Sequence, residues 1–174
     1  MRVGWRKRVE DGAKAAAAAF VLALLIRATL VEAYWIPSGS MEPTLRPGDR
    51  IVAEKVLRWF HAPRRGDIVI FVPPAAASAS TPALVKRVVA GPGQVVAVER
   101  GKVLVDGVPL PEPYVAEPPT YDLPPLQVPE GHLFVLGDNR NRSVDSHVWG
   151  FVPVSNIIGR AVFRYWPMER IGGL

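Results

Sequence analysis

The sequence predicts a mainly β protein in which one N-terminal transmembrane helix leads into a single compact domain. Three observations predict it. An apolar stretch lies near the N-terminus, short Val- and Ile-rich runs follow one another after it, and 18 prolines and 15 glycines are spread along the chain, the punctuation of many turns between short strands. A length of 174 residues leaves room for one modest domain, since domains commonly run about 100–150 residues.

The apolar stretch comes first. Ala15–Tyr34 spans 20 residues with Arg27 and Glu32 as its charges, and as a helix it would extend about 30 Å, one hydrocarbon thickness. An anchor helix is therefore expected over residues 15–35, with a segment 1–14 before it and a domain 36–174 after it. Arg27 opposes this by roughly 2.5–3.5 kcal/mol if held at mid-bilayer, but it lies past the centre and its stem can carry the charge outward. Arg2, Arg6, Lys7, Arg8 and Lys14 precede the span against Glu10 and Asp11, which puts residues 1–14 on the cytoplasmic side and the domain outside. A second reading takes the same stretch as a cleavable secretory signal, with a basic start, a short apolar core and small residues in Val31-Glu32-Ala33.

Beyond the span, strands are expected over Arg50–Val56, Asp67–Val72, Leu84–Ala90, Val95–Glu99, Lys102–Val105, Leu133–Leu136 and Ile157–Arg164. Arg100-Gly101 suits a hairpin turn, and no period of 20–50 residues recurs, so a repeat array is not expected. Ala75–Thr81, between Pro74 and Pro82, reads as a flexible hairpin tip of small residues that contains Ala-x-Ala patterns. Trp59-Phe60, Trp149, Tyr165 and Trp166 fit either a core or a membrane interface.

Composition narrows the chemistry. Cysteine is absent, so no thiol nucleophile, disulfide or Cys-ligated metal is available. His61, His132 and His147 lack metal-ligand spacing, and neither a metal nor another cofactor is expected. The formal charge is 21 minus 16, or +5, but the clusters Arg6-Lys7-Arg8 and Arg64-Arg65 are too small for a nucleic-acid face.

Catalysis then falls to oxygen and nitrogen groups. Ser40 sits in Ile36-Pro37-Ser38-Gly39-Ser40-Met41-Glu42-Pro43-Thr44-Leu45. A serine hydroxyl is a poor nucleophile at neutral pH unless a neighbour takes its proton, which a neutral lysine does when burial lowers its pKa. Lys86 lies in the apolar run Leu84, Val85, Val88, Val89, which reads as a strand through a core. The alternative is that Lys86-Arg87 is a solvated basic pair on an edge strand. Gly137-Asp138-Asn139-Arg140 is dense in turn formers, and a loop fixed by Asp138 and Asn139 with Arg140 as a surface cation is the plain account of it.

Four segments in order, the Ser40 run, Arg65-Gly66-Asp67-Ile68-Val69-Ile70-Phe71, Lys86-Arg87-Val88-Val89-Ala90-Gly91-Pro92-Gly93 and Gly137 to Ser146, resemble the bacterial type I signal peptidases. The resemblance runs from about Ala15 to Trp166. It implies a catalytic core of two antiparallel β-sheets, with Ser40 as nucleophile and Lys86 as general base. Ser38 would join the Ser40 N–H as the oxyanion hole. Ser143 would contact the lysine, and Asp138 and Asp145, with Arg140, would organise the site. Ile36, Met41, Leu45, Leu84 and Val85 would line shallow apolar pockets for small side chains. The implied activity is removal of signal peptides from exported preproteins at Ala-x-Ala sites, by an enzyme anchored in the bilayer of a bacterial plasma membrane. With 50 residues between Lys86 and Gly137, the chain looks like the compact form of that family. It departs from the pattern at Asn141-Arg142, where Asp-Asn is usual, and at His147, where arginine is common. Mitochondrial inner-membrane and conjugation-type processing peptidases share this chemistry. Ser-Lys autoproteolytic repressors carry DNA-binding segments instead of a span. A non-catalytic anchored β domain that binds exported chains is the reading from outside enzymology.

Overall fold

The computed structural model describes residues 3–55, 63–77 and 81–174. Helix α1 covers Val3–Thr29, and twelve strands follow among the described residues: β1 Val31–Trp35, β2 Arg50–Glu54, β3 Ile68–Phe71, β4 Leu84–Ala90, β5 Val95–Glu99, β6 Lys102–Val105, β7 Val108–Pro109, β8 Leu123–Gln127, β9 His132–Leu136, β10 Val152–Pro153, β11 Ile157–Trp166 and β12 Gly172–Gly173. A four-residue helix α2, Ser146–Trp149, sits between β9 and β10.

Two antiparallel sheets result. The larger runs in the order β1-β2-β11-β3-β4-β9-β10, with β12 beside β11, and the smaller in the order β7-β6-β5-β8. In the smaller sheet β5, β6 and β7 are joined by tight turns, and β8 returns to pair with β5 after a longer connection. Arg100-Gly101 and Asp106-Gly107 all have positive φ, the backbone that two-residue hairpin turns require to match strand twist. Buried Val96, Val98, Val103 and Val105 of this sheet pack against Val89, Ala90, Phe134 and Leu136 of the larger one, and that contact joins the sheets. Two further clusters cover the larger sheet. One gathers Ile36, Met41, Leu45, Ile51, Ile68 and Ile70, the other Val69, Phe71, Val88, Leu133, Val135 and Ile157.

The stretch expected as an anchor over residues 15–35 is divided. The helix starts earlier, at Val3, and ends at Thr29, while Val31–Trp35 pairs with β2 in the register Val31↔Glu54 to Trp35↔Arg50. The run Val31-Glu32-Ala33-Tyr34-Trp35, with Val31 and Tyr34 half-buried and the rest exposed, satisfies its backbone on a neighbouring strand, reinforced by a Lys55–Glu32 ion pair of 2.8 Å. No helix among the described residues is long and apolar enough to cross a membrane.

The expected strands are all present, most with ends moved by one or two residues. Trp59 and Phe60 lie outside the described residues, as do residues 78–80 of the small-residue loop. Trp149 is half-buried and packs on Phe71, with centroids 6.2 Å apart. Tyr165 and Trp166 are exposed, and Trp166 shares a sheet row with Arg50 and Trp35. Phe71 is fully buried, so Phe71→Ala should cost about 3–5 kcal/mol. Denaturant unfolding should show a lower midpoint with an unchanged slope.

Candidate active site

The Ser40 turn connects β1 to β2 and is held by its apolar residues. Ile36, Met41 and Leu45 are buried, while Leu45 N–H donates to the Met41 carbonyl at 2.9 Å and Gly48 N–H to that of Ile36 at 2.9 Å. The polar residues between are pushed outward. The far end of the chain closes this turn. Arg164 donates to the Thr44 carbonyl at 2.6 Å, and Arg170 grips both oxygens of buried Asp49 at 2.9 Å.

Lys86 arrives from the middle of β4, paired between β3 and β9. It is therefore no edge residue. Strand alternation sends Lys86 and Arg87 to opposite faces. The Lys86 side chain is buried, the residue only 3 % exposed, and its Nζ lies 2.7 Å from Ser40 Oγ. Desolvation pulls the amine down to about 8 against the opposing fields of Asp145 and Asp138. At pH 7 about a tenth of it is then neutral and able to accept a proton.

Arg87 overturns the reading of a solvated basic pair. It is buried, forks onto Asp138 with bonds of 2.8 and 2.6 Å, and donates to the Gly66 carbonyl at 2.8 Å. Thr44 adds a hydroxyl to Asp138 at 2.6 Å. Arg140 is not a surface cation either. At 1 % exposure it donates to the Gly137 carbonyl at 3.0 Å and forks onto Glu112 at 2.7 and 2.6 Å. Asp145, fully buried, accepts the Gly137 N–H at 2.8 Å and faces His147 Nδ1 at 2.7 Å.

This loop backs directly onto the serine. Asn139 N–H donates to the Ser40 carbonyl at 3.1 Å, and its side-chain amide donates to that of Gly39 at 3.0 Å. Gly137 is wedged so closely between Ser143 and the Ser40 carbonyl that a Cβ would collide with both. Ser143 Oγ is buried without a hydrogen-bond partner, packed beside Gly137. Ser38 Oγ stands 3.5 Å from Ser40 Oγ. Arg87 and Asn139, which the sequence suggests only as a solvated cation and a loop-fixing residue, complete the constellation with Thr44 and Glu112, to which it assigns no role. The Asp-Asn pairing in the Gly137 motif was the available signal for Asn139, and nothing local marked Glu112.

A cleft of about 640 Å³ opens beside Ser40 and Lys86. Ile36, Met41, Leu84 and Val85 line it together with Tyr34 and Trp35, whereas Leu45 lies beneath, in the core under Met41. Among the described residues no group of three His, Asp or Glu side chains converges to hold a metal. A hydroxyl against a desolvated amine, beside an apolar cleft, is the equipment of a hydrolase working by acyl transfer.

The comparisons narrow that class. Residues 9–166 match the family model described as signal peptidase, peptidase S26, and this chain belongs to that family. It is 54 % identical over 160 residues to a probable signal peptidase I of a Synechocystis species, covering 90 % of this chain and 82 % of that one. It is 49 % identical over 168 residues to signal peptidase I of Leptolyngbya laminosa, covering 94 % and 83 %. A crystal structure of a signal peptidase I from Enterococcus faecalis superposes with a TM-score of 0.50 at 33 % identity, covering 57 % of this chain and 97 % of that one. The mainly β fold of antiparallel sheets is consistent with a signal peptidase I catalytic domain.

Two outcomes follow from the geometry. Gly137→Ala should displace the Ser40 backbone and lower turnover by about 10²-fold, the effect of a misplacement near 1 Å, measured by steady-state cleavage. Lys86→Met should raise stability by up to roughly 3 kcal/mol. The folded-state pKa lies below the ordinary lysine value, so the burial penalty is full below pH 8 and fades as pH rises toward 10.5. Unfolding curves at pH 7 and above 10 should show the gain in the first and its loss in the second.

Proposed function

We propose that this chain is a membrane-associated serine endopeptidase that removes signal peptides from exported preproteins after small residues, with Ser40 as nucleophile and Lys86 as general base. The observation that carries the reading is the 2.7 Å contact between Ser40 Oγ and the buried Lys86 amine. Ser40 Oγ attacks the scissile carbonyl as Lys86 takes its proton. The C–O bond forms, and the oxyanion is held by the Ser40 N–H and the Ser38 hydroxyl. The amide C–N bond then breaks as Lys86 returns the proton to the leaving amine. Water activated by the freed amine hydrolyses the acyl-enzyme and releases the signal peptide. The cleft walled by Ile36, Met41, Leu84 and Val85 offers apolar contact to alanine-sized side chains. Asp138, Asp145 and Arg140 hold the arrangement from behind through their hydrogen bonds, while Ser143, whose hydroxyl makes no bond to Lys86, packs on Gly137.

The reading also places residues 36–174 on the outer face of a bacterial plasma membrane and residues 1–14 in the cytoplasm. Phe20, Val21, Leu22 and Leu24 of α1 are all exposed, and so many uncovered apolar side chains on successive faces of one helix favour a lipid environment. Exposed Trp35 and Trp166 flank Arg50 in one sheet row, a pairing of aromatic and cation that suits the headgroup layer.

Purified full-length protein in detergent should cleave a preprotein at its Ala-x-Ala site, and Ser40→Ala and Lys86→Ala should each abolish cleavage while remaining folded. Lys86→Arg should fail as well, because a guanidinium stays protonated. Turnover should climb with pH through about 8 as Lys86 becomes neutral. Activity surviving in any of the three variants would remove the dyad assignment.

A further inference from the structure

The segment between β7 and β8, residues 110–122, belongs to neither sheet, yet it is fastened to the loop 137–147 at three points. Glu112 receives the fork of Arg140. Asn141 Oδ1 accepts the N–H and hydroxyl of Thr120 at 2.8 and 3.0 Å, and its amide donates to the Pro118 carbonyl at 3.0 Å. The ring of Tyr121 stacks on His147 with centroids 4.1 Å apart and planes 11° from parallel. Two of these fasteners, Asn141 and His147, stand where the sequence departs from the motif it resembles.

His147 reaches farthest inward. Its Nδ1 faces one oxygen of Asp145, the other oxygen accepts the Gly137 N–H, and Gly137 packs on the Ser40 carbonyl. We propose that Tyr121 and His147 are positioning residues, whose stack fixes Asp145 and, through Gly137, the Ser40 turn against a dry Lys86. This rests on the Ser40–Lys86 reading given above. Tyr121 Oη is buried without a hydrogen-bond partner, so the ring rather than the hydroxyl is what the site uses. The charges around the pair are few. Lys86 feels Asp145 and Asp138, Tyr121 lies near Asp145, Arg140 and Glu112, and His147 faces Asp145. Arg87 answers Asp138 and Arg140 answers Glu112, which leaves Asp145 to lean on an imidazole. Loosening the stack would let water reach the amine. Burial is the largest influence on Lys86 and lowers its pKa, so hydration would move it upward.

The test uses full-length protein labelled with [13Cε]lysine, the Lys86 signal being assigned by its loss in Lys86→Ala. Its titration is followed alongside the pH dependence of kcat and KM on an Ala-x-Ala peptide. Tyr121→Ala and His147→Ala should move the Lys86 midpoint up by about one pH unit, which cuts the neutral fraction, and kcat at pH 7, about ten-fold. KM should stay within about twofold, because the cleft is untouched. Tyr121→Phe keeps the ring and should keep the wild-type midpoint. His147→Arg sets a fixed cation against Asp145 and should leave the midpoint at or below wild type. Folding of each variant is checked by near-UV circular dichroism, and the conservative pair carries the test if an alanine variant is unfolded. Unchanged midpoints in folded Tyr121→Ala and His147→Ala would overturn the proposal while leaving wild-type cleavage as support for the peptidase reading. Shifted midpoints in a protein that cleaves no preprotein would uphold the positioning role and sink that reading instead.

Discussion

The site depends on a primary amine kept out of water within reach of a hydroxyl. Removing Lys86 from solvent disfavours its cation, and that penalty makes it a base near neutral pH. Two carboxylates nearby work against this, because an anion in a poorly screened interior restores the cation. Each is therefore occupied elsewhere. Asp138 is forked by Arg87 and bonded by Thr44, and Asp145 spends its oxygens on the Gly137 N–H and on His147. The neighbouring ion pairs thus do more than fix loops. They limit the charge that Lys86 senses, which explains why buried arginines surround a site whose chemistry uses none.

Sheet topology puts these groups together. Residues 40, 86 and 138 are far apart in sequence, but β4 lies in the interior of the larger sheet with β9 as its neighbour, and β9 runs straight into Gly137. The Ser40 turn is carried by β1 and β2 across the same sheet. Alternation along β4 then delivers an amine to one face and a guanidinium to the other, so two adjacent residues serve opposite sides of the site. The smaller sheet contributes through its connections. The strap before β8 brings Glu112 and Tyr114 over the arginines, with the Tyr114 ring 3.9 Å from the Arg87 guanidinium.

The sequence exposed the parts governed by local pattern. β4 and the hairpin at Arg100-Gly101 were legible because Val-rich runs and positive-φ turn residues signal themselves within a few positions. β1 was hidden because an apolar run suits a helix end as well as a strand, and only its pairing with β2 decides between them. β8 was hidden by Pro124-Pro125, which an edge strand tolerates since half of its backbone needs no partner. Ser40 and Lys86 were legible as a pair only through the order of four motifs. Arg87 and Arg140 read as solvated cations because their acids, Asp138 and Glu112, lie 51 and 28 residues away. Burial of a charge is a property of the assembled neighbourhood.

The turn that carries Ser40 is closed by Arg164 and Arg170, and its supporting strand β2 pairs with β11. Synthesis runs in the other direction. A nascent chain that has emerged only as far as β9 already contains its serine, its lysine and the strands around them, yet lacks the central strand on which β2 and β3 both register. The Ser40 turn consequently lacks the strand that supports β2, and its own two arginine clasps, until residues 157–170 have been made.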